Sequence, residues 1–117
     1  WHYGRCRERL LLVDCLTLWL SNILLQQVGF NGERLADKKP GSIIIGDIIT
    51  RARNAAVLAA KVPAEVVLVT NEVGMGLVPE SSLARLYRDL SGKVNQAFAA
   101  EADEVYMLVS GLPLRLK

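Results

Sequence analysis

Asp14 closes an apolar run, Leu10-Leu-Leu-Val-Asp, so that a carboxylate stands where a short strand ends. A carboxylate there can hold a metal ion, a metal-bound water or a nucleotide hydroxyl beside the phosphates. The same aspartate can cap a helix opening around Cys15 to Leu16, and the pattern leaves both readings open. A second polar strand end, Thr70-Asn71-Glu72, runs into the glycine-spaced loop Val73-Gly74-Met75-Gly76. Glycines let backbone approach a ligand closely, yet such a triplet and its glycines also serve ordinary turns. Further on, Arg85 and Arg88 lie one helical turn apart with Asp89 beside them. They can clamp a phosphate or a substrate carboxamide, or simply form a solvated helix face. Asn95 and Gln96 make an adjacent amide pair whose plainer role is hydrogen bonding to neighbouring loops or to another subunit. His2 is the sole imidazole and hence the sole candidate for a histidine nucleophile; beside the chain end and without a partner, it reads as a bystander.

Several chemistries are excluded by what the sequence lacks. There is no G-x-x-x-x-G-K-[ST] stretch, so the backbone cradle and lysine of a phosphate-binding loop are absent from these residues. Cys6 and Cys15, nine positions apart, have neither a second pair nor a histidine near enough to complete a zinc set, and they read as free thiols of a reducing cytoplasm. Lysine plus arginine outnumber aspartate plus glutamate by only 14 to 12, which gives no field to draw the protein onto nucleic acid or an anionic membrane. The most apolar window, Leu10 to Leu25, carries Asp14, Ser21 and Asn22 and is shorter than the ~20 apolar residues of a membrane span. The opening Trp-His-Tyr-Gly-Arg has none of the marks of a signal peptide and reads as a start in mid-protein.

The elements that must position these groups follow from periodicity. At 117 residues and 51% hydrophobic content, one globular domain over residues 1–117 is expected. Leu10 to Val13, Val66 to Thr70 and Val105 to Val109 have strand character, and their continuous apolarity predicts a parallel sheet buried on both faces by helices. Leu16, Trp19, Leu20, Ile23 and Leu24 keep helical spacing, with Leu18 and Leu25 making this a deeply buried helix. Gly29 to Ser42 reads as a surface loop. Ile45, Ile48, Ile49, Ala52, Ala56 and Ala59 share one face of a second helix that Pro63 ends. A third is predicted to start near Pro79 and to bury Leu83, Leu86, Tyr87, Leu90, Val94 and Phe98, displaying Arg85, Arg88, Asp89, Lys93, Asn95 and Gln96 on its other side. In such a sheet, ligands bind beyond the carboxyl ends of the strands, where Asp14 and the 70–76 loop stand.

Three stretches, Leu12-Val-Asp-Cys-Leu-Thr-Leu-Trp-Leu-Ser-Asn22, Val69-Thr-Asn-Glu-Val-Gly-Met-Gly-Leu-Val-Pro79 and Arg85-Leu-Tyr-Arg-Asp-Leu-Ser-Gly-Lys-Val-Asn-Gln96, in this order, closely resemble the adenosylcobinamide kinase/adenosylcobinamide-phosphate guanylyltransferase family. Ala102-Asp-Glu-Val-Tyr and the tail from Ser110 to Lys117 agree with it, so the resemblance covers roughly residues 9 to 117. It implies a P-loop nucleotidase (RecA-like) fold and a cytoplasmic enzyme of cobalamin biosynthesis. That enzyme moves a phosphoryl group from ATP or GTP to the hydroxyl of adenosylcobinamide. It then joins GMP to the new phosphate through a guanylylated histidine, releasing pyrophosphate. Mg²⁺ is implied as the ion that neutralises the phosphates, and a homo-oligomer as the assembly.

Carried onto this chain, the resemblance gives Asp14 a nucleotide or Mg²⁺ role, through water. It gives Thr70, Asn71, Glu72 and Gly74 the family's distinctive loop, and Arg85, Arg88, Asp89, Asn95 and Gln96 its signature helix. The family's phosphate loop and nucleotidylated histidine lie upstream of anything aligned, and Trp1 to Glu8 fit poorly. The expectation is therefore an incomplete domain lacking the N-terminal P-loop unit, with open strand edges and weak GTP binding. The rival readings are a catalytically inactive α/β fragment that works through subunit contacts and an unrelated P-loop kinase.

Overall fold

The computed structural model describes residues 9–28 and 41–117. His2, Cys6 and all but the last two residues of the expected Gly29–Ser42 loop lie outside them. Strand β1 (Leu10–Asp14) leads into helix α1 (Leu16–Val28), and helix α2 (Gly41–Lys61) leads into strand β2 (Glu65–Val69). A single 3₁₀ turn (Val73–Met75) precedes helix α3 (Ser82–Glu101), and strands β3 (Tyr106–Val109) and β4 (Leu112–Arg115) follow. β1 and β2 pair in parallel, with Leu11 opposite Val66, Val13 opposite Leu68 and Asp14 opposite Val69. The expected parallel α/β sheet is therefore present, and both candidate strand ends emerge at the same edge.

Helices α1, α2 and α3 form one packed layer. Its core is Leu16, Leu20 and Leu24 from α1, Ile44, Ile48, Ala52 and Ala56 from α2, and Leu90, Val94 and Phe98 from α3. Each set repeats at three or four residues, the spacing that keeps side chains on one helical face. On α2 the buried stripe runs 44–48–52–56, rotated slightly from the predicted face, with Ile45 and Ile49 only half-buried. Val13 and Leu68, neighbours across the strand pair, press against this layer.

Four expectations are corrected. The strands are not buried on both faces: the three helices cover one side, and strand alternation leaves Leu10 at 66% and Leu12 at 60% exposed on the other, with Val67 and Val69. The third strand does not join the parallel pair. β3 instead pairs antiparallel with β4, because Ser110 and Gly111 both take positive φ and turn the chain straight back. α3 starts after Pro79, not at it: Ser81 is the N-cap, its hydroxyl accepting from the Ala84 N–H at 3.4 Å, and a hydroxyl fills that role as proline cannot. α1 is not buried all round, since Leu18 faces outward at 59% exposure.

Candidate functional site at the strand carboxyl edge

The chain leaving β2 reaches α3 by side-chain bonds. The Thr70 hydroxyl donates to Asn95 Oδ1 at 2.7 Å, and Asn95 Nδ2 donates to the Asn71 carbonyl at 3.2 Å. One amide on α3 thus uses both ends to hold two successive loop residues. Asn71 in turn donates from Nδ2 to Thr17 Oγ1 at 3.0 Å, which ties the loop to the first turn of α1. Thr17 is 6% exposed, and its hydroxyl shares a 2.9 Å hydrogen bond with the Cys15 thiol. The Thr17 carbonyl accepts from the Tyr87 hydroxyl of α3 at 2.9 Å. Burial raises the Tyr87 phenol above the usual tyrosine value, and charge on the Cys15 sulfur adds to the shift, so Tyr87 remains a donor throughout the neutral range.

Beyond this network the loop and α3 enclose an open cleft of about 410 Å³, lined by Glu72, Gly74, Arg88, Asp89, Gly92, Lys93 and Gln96. The Gly74 N–H donates to Glu72 Oε1 at 3.4 Å. A Cβ on Gly74 would stand 3.3 Å from that oxygen, so a larger residue there displaces the Glu72 carboxylate. Arg88 donates from Nε and Nη2 to Asp89 Oδ1 at 3.3 and 3.2 Å, while Lys93 has no ion-pair partner among the described residues. Two cations and two carboxylates therefore line one wall-to-wall space. Such a lining offers both donors and acceptors to a small polar ligand.

The sequence-derived candidates separate into three groups. Glu72, Gly74, Arg88, Asp89 and Gln96 come together in the cleft. Thr70, Asn71 and Asn95 form the network behind it, so Asn95 has the loop-holding role that was its plainer reading. Asp14 and Arg85 stand apart. The Arg85 guanidinium is spent on the Pro79 carbonyl at 2.9 Å and on that of Glu80, and it does not line the cleft that Arg88 lines. Asp14 shares the edge but does not line the cleft; alternation along β1 sets it on the side of Leu10 and Leu12, away from the helices. Nor does it cap α1: Cys15 precedes the first helical residue, and its carbonyl accepts the Trp19 N–H at 3.1 Å. Asp14's carboxylate makes no hydrogen bond or ion pair among the described residues. No group of three or more potential metal ligands occurs among those residues. Gly92 and Lys93 in the cleft lining, and Cys15, Thr17 and Tyr87 in the network behind it, are site residues that sequence reasoning did not single out as candidates. Lys93 was legible as part of the polar face of α3, whereas nothing in a buried threonine among leucines announces a partner 54 positions away.

Parallel strands backed by helices, with a polar cleft at the carboxyl edge, define an α/β protein with a crevice where such folds place their ligands. The chain matches the family described as cobinamide kinase / cobinamide phosphate guanyltransferase over residues 3–116, and it belongs to that family. Among curated relatives, it is 44% identical over 107 residues to the bifunctional adenosylcobalamin biosynthesis protein CobU of Salmonella typhimurium, covering 92% of this chain and 58% of the relative. It is 40% identical over 110 residues to the protein of the same name from Escherichia coli K12, covering 94% of this chain and 59% of the relative. The bifunctional adenosylcobalamin biosynthesis protein CobP of Pseudomonas aeruginosa is 39% identical over 116 residues, 97% of this chain and 54% of its own length. The chain thus spans between 54% and 59% of the length of these relatives. No helix among the described residues is long and apolar enough to cross a membrane.

Proposed function

We propose that this chain is part of a bifunctional enzyme of P-loop nucleotidase (RecA-like) type. In this reading it phosphorylates adenosylcobinamide with ATP or GTP and then transfers GMP from GTP to adenosylcobinamide phosphate, giving adenosylcobinamide-GDP and pyrophosphate. The observation that carries the reading is convergence. Five residues drawn from two of the family-like motifs, Glu72, Gly74, Arg88, Asp89 and Gln96, line a single cleft at the carboxyl edge of the parallel strands.

In this reading Arg88 and Lys93 take the anionic oxygens of a phosphate-bearing substrate, since charge-assisted bonds to phosphate are the strongest polar contacts a side chain offers. Glu72 and Asp89 accept N–H donors of the nucleobase or of the corrinoid carboxamides, and Gln96 supplies an amide that can do either. Asp14, exposed at the tip of β1 outside the cleft lining and without a hydrogen bond among the described residues, would be the carboxylate to hold Mg²⁺ through water. A single carboxylate suits that ion, which keeps several waters and takes its other ligands from substrate phosphates. Bound Mg²⁺ would supply charge neutralisation at the phosphates. The homo-oligomer, the cytoplasmic setting and the upstream P-loop unit are carried by the resemblance, and the apolar residues exposed on β1 and β2 accord with further protein covering that face.

Amide NMR of the 117-residue chain titrated with Mg-GTP, and separately with adenosylcobinamide phosphate, tests the reading. Shift changes confined to residues 72–76 and 88–96, with affinity weaker than micromolar for GTP, are expected. Silence of both segments up to millimolar ligand, or changes centred elsewhere, would overturn it. Guanylyl transfer assayed with both substrates then separates a catalytic unit from a scaffold.

A further inference from the structure

The geometry points to Thr17 as a positioning residue of the cleft, one whose buried hydroxyl, by holding Asn71, sets where Glu72 and Gly74 stand. The inference rests on the nucleotide reading of that cleft and adds a residue that touches none of its lining.

The case begins with what holds the loop. Among the described residues, no bond between main-chain groups ties Asn71 or Glu72 to a neighbouring element. The β1–β2 ladder ends at Val69, and the 3₁₀ turn begins at Val73. Asn71 is instead held from two sides, its side chain by Thr17 on α1 and its carbonyl by Asn95 on α3. Glu72 is the next residue along. With the Asn71 amide drawn in toward α1, the Glu72 carboxylate that follows it stands at the cleft.

Thr17 is suited to be the fixed end of this arrangement. It lies in the first turn of a helix whose Leu16, Leu20 and Leu24 are buried in the core, its carbonyl is bound by Tyr87, and its hydroxyl is fixed by both Cys15 and Asn71. Asn71 is exposed, so water can replace the lost partner when the hydroxyl is removed. Releasing this bond therefore frees the loop at little cost to the whole fold, which separates positioning from general stability.

The test compares Thr17→Val, close in size but without the hydroxyl, with Thr17→Ser, which keeps it, in the 117-residue chain. Two quantities are read: amide hydrogen exchange, and GTP affinity by NMR titration in Mg²⁺. For the valine variant, exchange of residues 71–76 is expected to quicken several-fold while β2 and α3 stay protected. GTP affinity should fall by roughly 2- to 10-fold, the range one net hydrogen bond commands. Serine should restore both. Unchanged exchange at 71–76, acceleration spread evenly over the chain, or a freed loop with wild-type GTP affinity each overturns the proposal. If the valine variant does not fold, Asn71→Ala removes the same bond from the other side, and the same outcomes decide. A wild-type chain that binds no GTP at any concentration sinks the nucleotide reading and the cleft role with it. The exchange arm still reports separately on the Thr17–Asn71 hold.

Discussion

Replacing Ser91 with alanine is expected to make the protein more stable. Ser91 is 1% exposed on the buried side of α3, beside Leu90, and its Oγ has no hydrogen-bond partner among the described residues. Burying a hydroxyl without a partner costs about 1–3 kcal/mol by mutational measures. Alanine also favours a helix interior over serine by roughly 0.5 kcal/mol. Against these stands the small void left by one oxygen, worth less than about 1 kcal/mol at the volume scale of core cavities. The balance favours Ser91→Ala by about 1–2 kcal/mol, which for a chain of this size raises Tm by roughly 3–10 °C. Urea unfolding followed by circular dichroism should show the midpoint moved upward with an unchanged slope, the sign of altered stability and not of an altered denatured state. Leu90→Ala, one residue away and equally buried, serves as the opposite control and should lose about 2–5 kcal/mol. A Ser91→Ala protein less stable than the parent by 1 kcal/mol or more would refute the reasoning, because the hydroxyl would then have a partner worth more than its desolvation.

Leu20, fully buried at the centre of the helical layer, should cost about 2–5 kcal/mol when cut to alanine, read from the same urea curves. Arg51→Ala should change stability by no more than about 0.5 kcal/mol, since its 3.0 Å pair with Asp47 is an exposed i,i+4 bridge. Tyr87 predicts an alkaline limit. Its phenol is raised above the ordinary value in the folded chain, so its contribution is complete below the unfolded pKa of about 10 and is lost as pH climbs through the higher folded value. Melting temperatures from pH 8 to 11 should therefore fall more steeply for the parent than for Tyr87→Phe, and parallel curves would count against the burial that raises this phenol.

How much of this was legible in the sequence depends on the range over which each signal acts. The three helices and the β1–β2 pair were readable because apolar spacing reports a local geometry, and Ile48, Ala52, Ala56, Leu90, Val94 and Phe98 fall on their predicted faces. Covering of the sheet was misread because a continuous apolar run states what a strand can bury, not which neighbours within the described residues bury it. β3 was assigned to the wrong sheet for a related reason: Ser110-Gly111 is a weak turn signal until the positive φ at both positions is seen. Resemblance brought the cleft residues together, but it could not sort Arg85 from Arg88. One helical turn is enough to send one guanidinium to the Pro79 and Glu80 carbonyls and leave the other in the cleft.

The same separation explains why a polar network lies behind a polar cleft. A carboxylate such as Glu72, exposed in open solvent, cannot hold a fixed direction by itself, because water satisfies it in every rotamer. Its place is imposed through the main chain, and of the groups that hold Asn71 the buried Thr17 hydroxyl is the one shielded from competing water. That shielding is greatest between α1 and α3, where Thr17 and Tyr87 meet under the loop. Asparagine at 71 and 95 suits the task, since an amide offers a donor and an acceptor without the desolvation cost of a charge. An aspartate at 95 would still accept from Thr70, but it would set a negative charge against the Asn71 carbonyl and push away the residue it now holds. The order of amide then acid at positions 71 and 72 thus follows the bonds each makes: the amide at 71 is held by Thr17 and Asn95, and the acid at 72 lines the cleft.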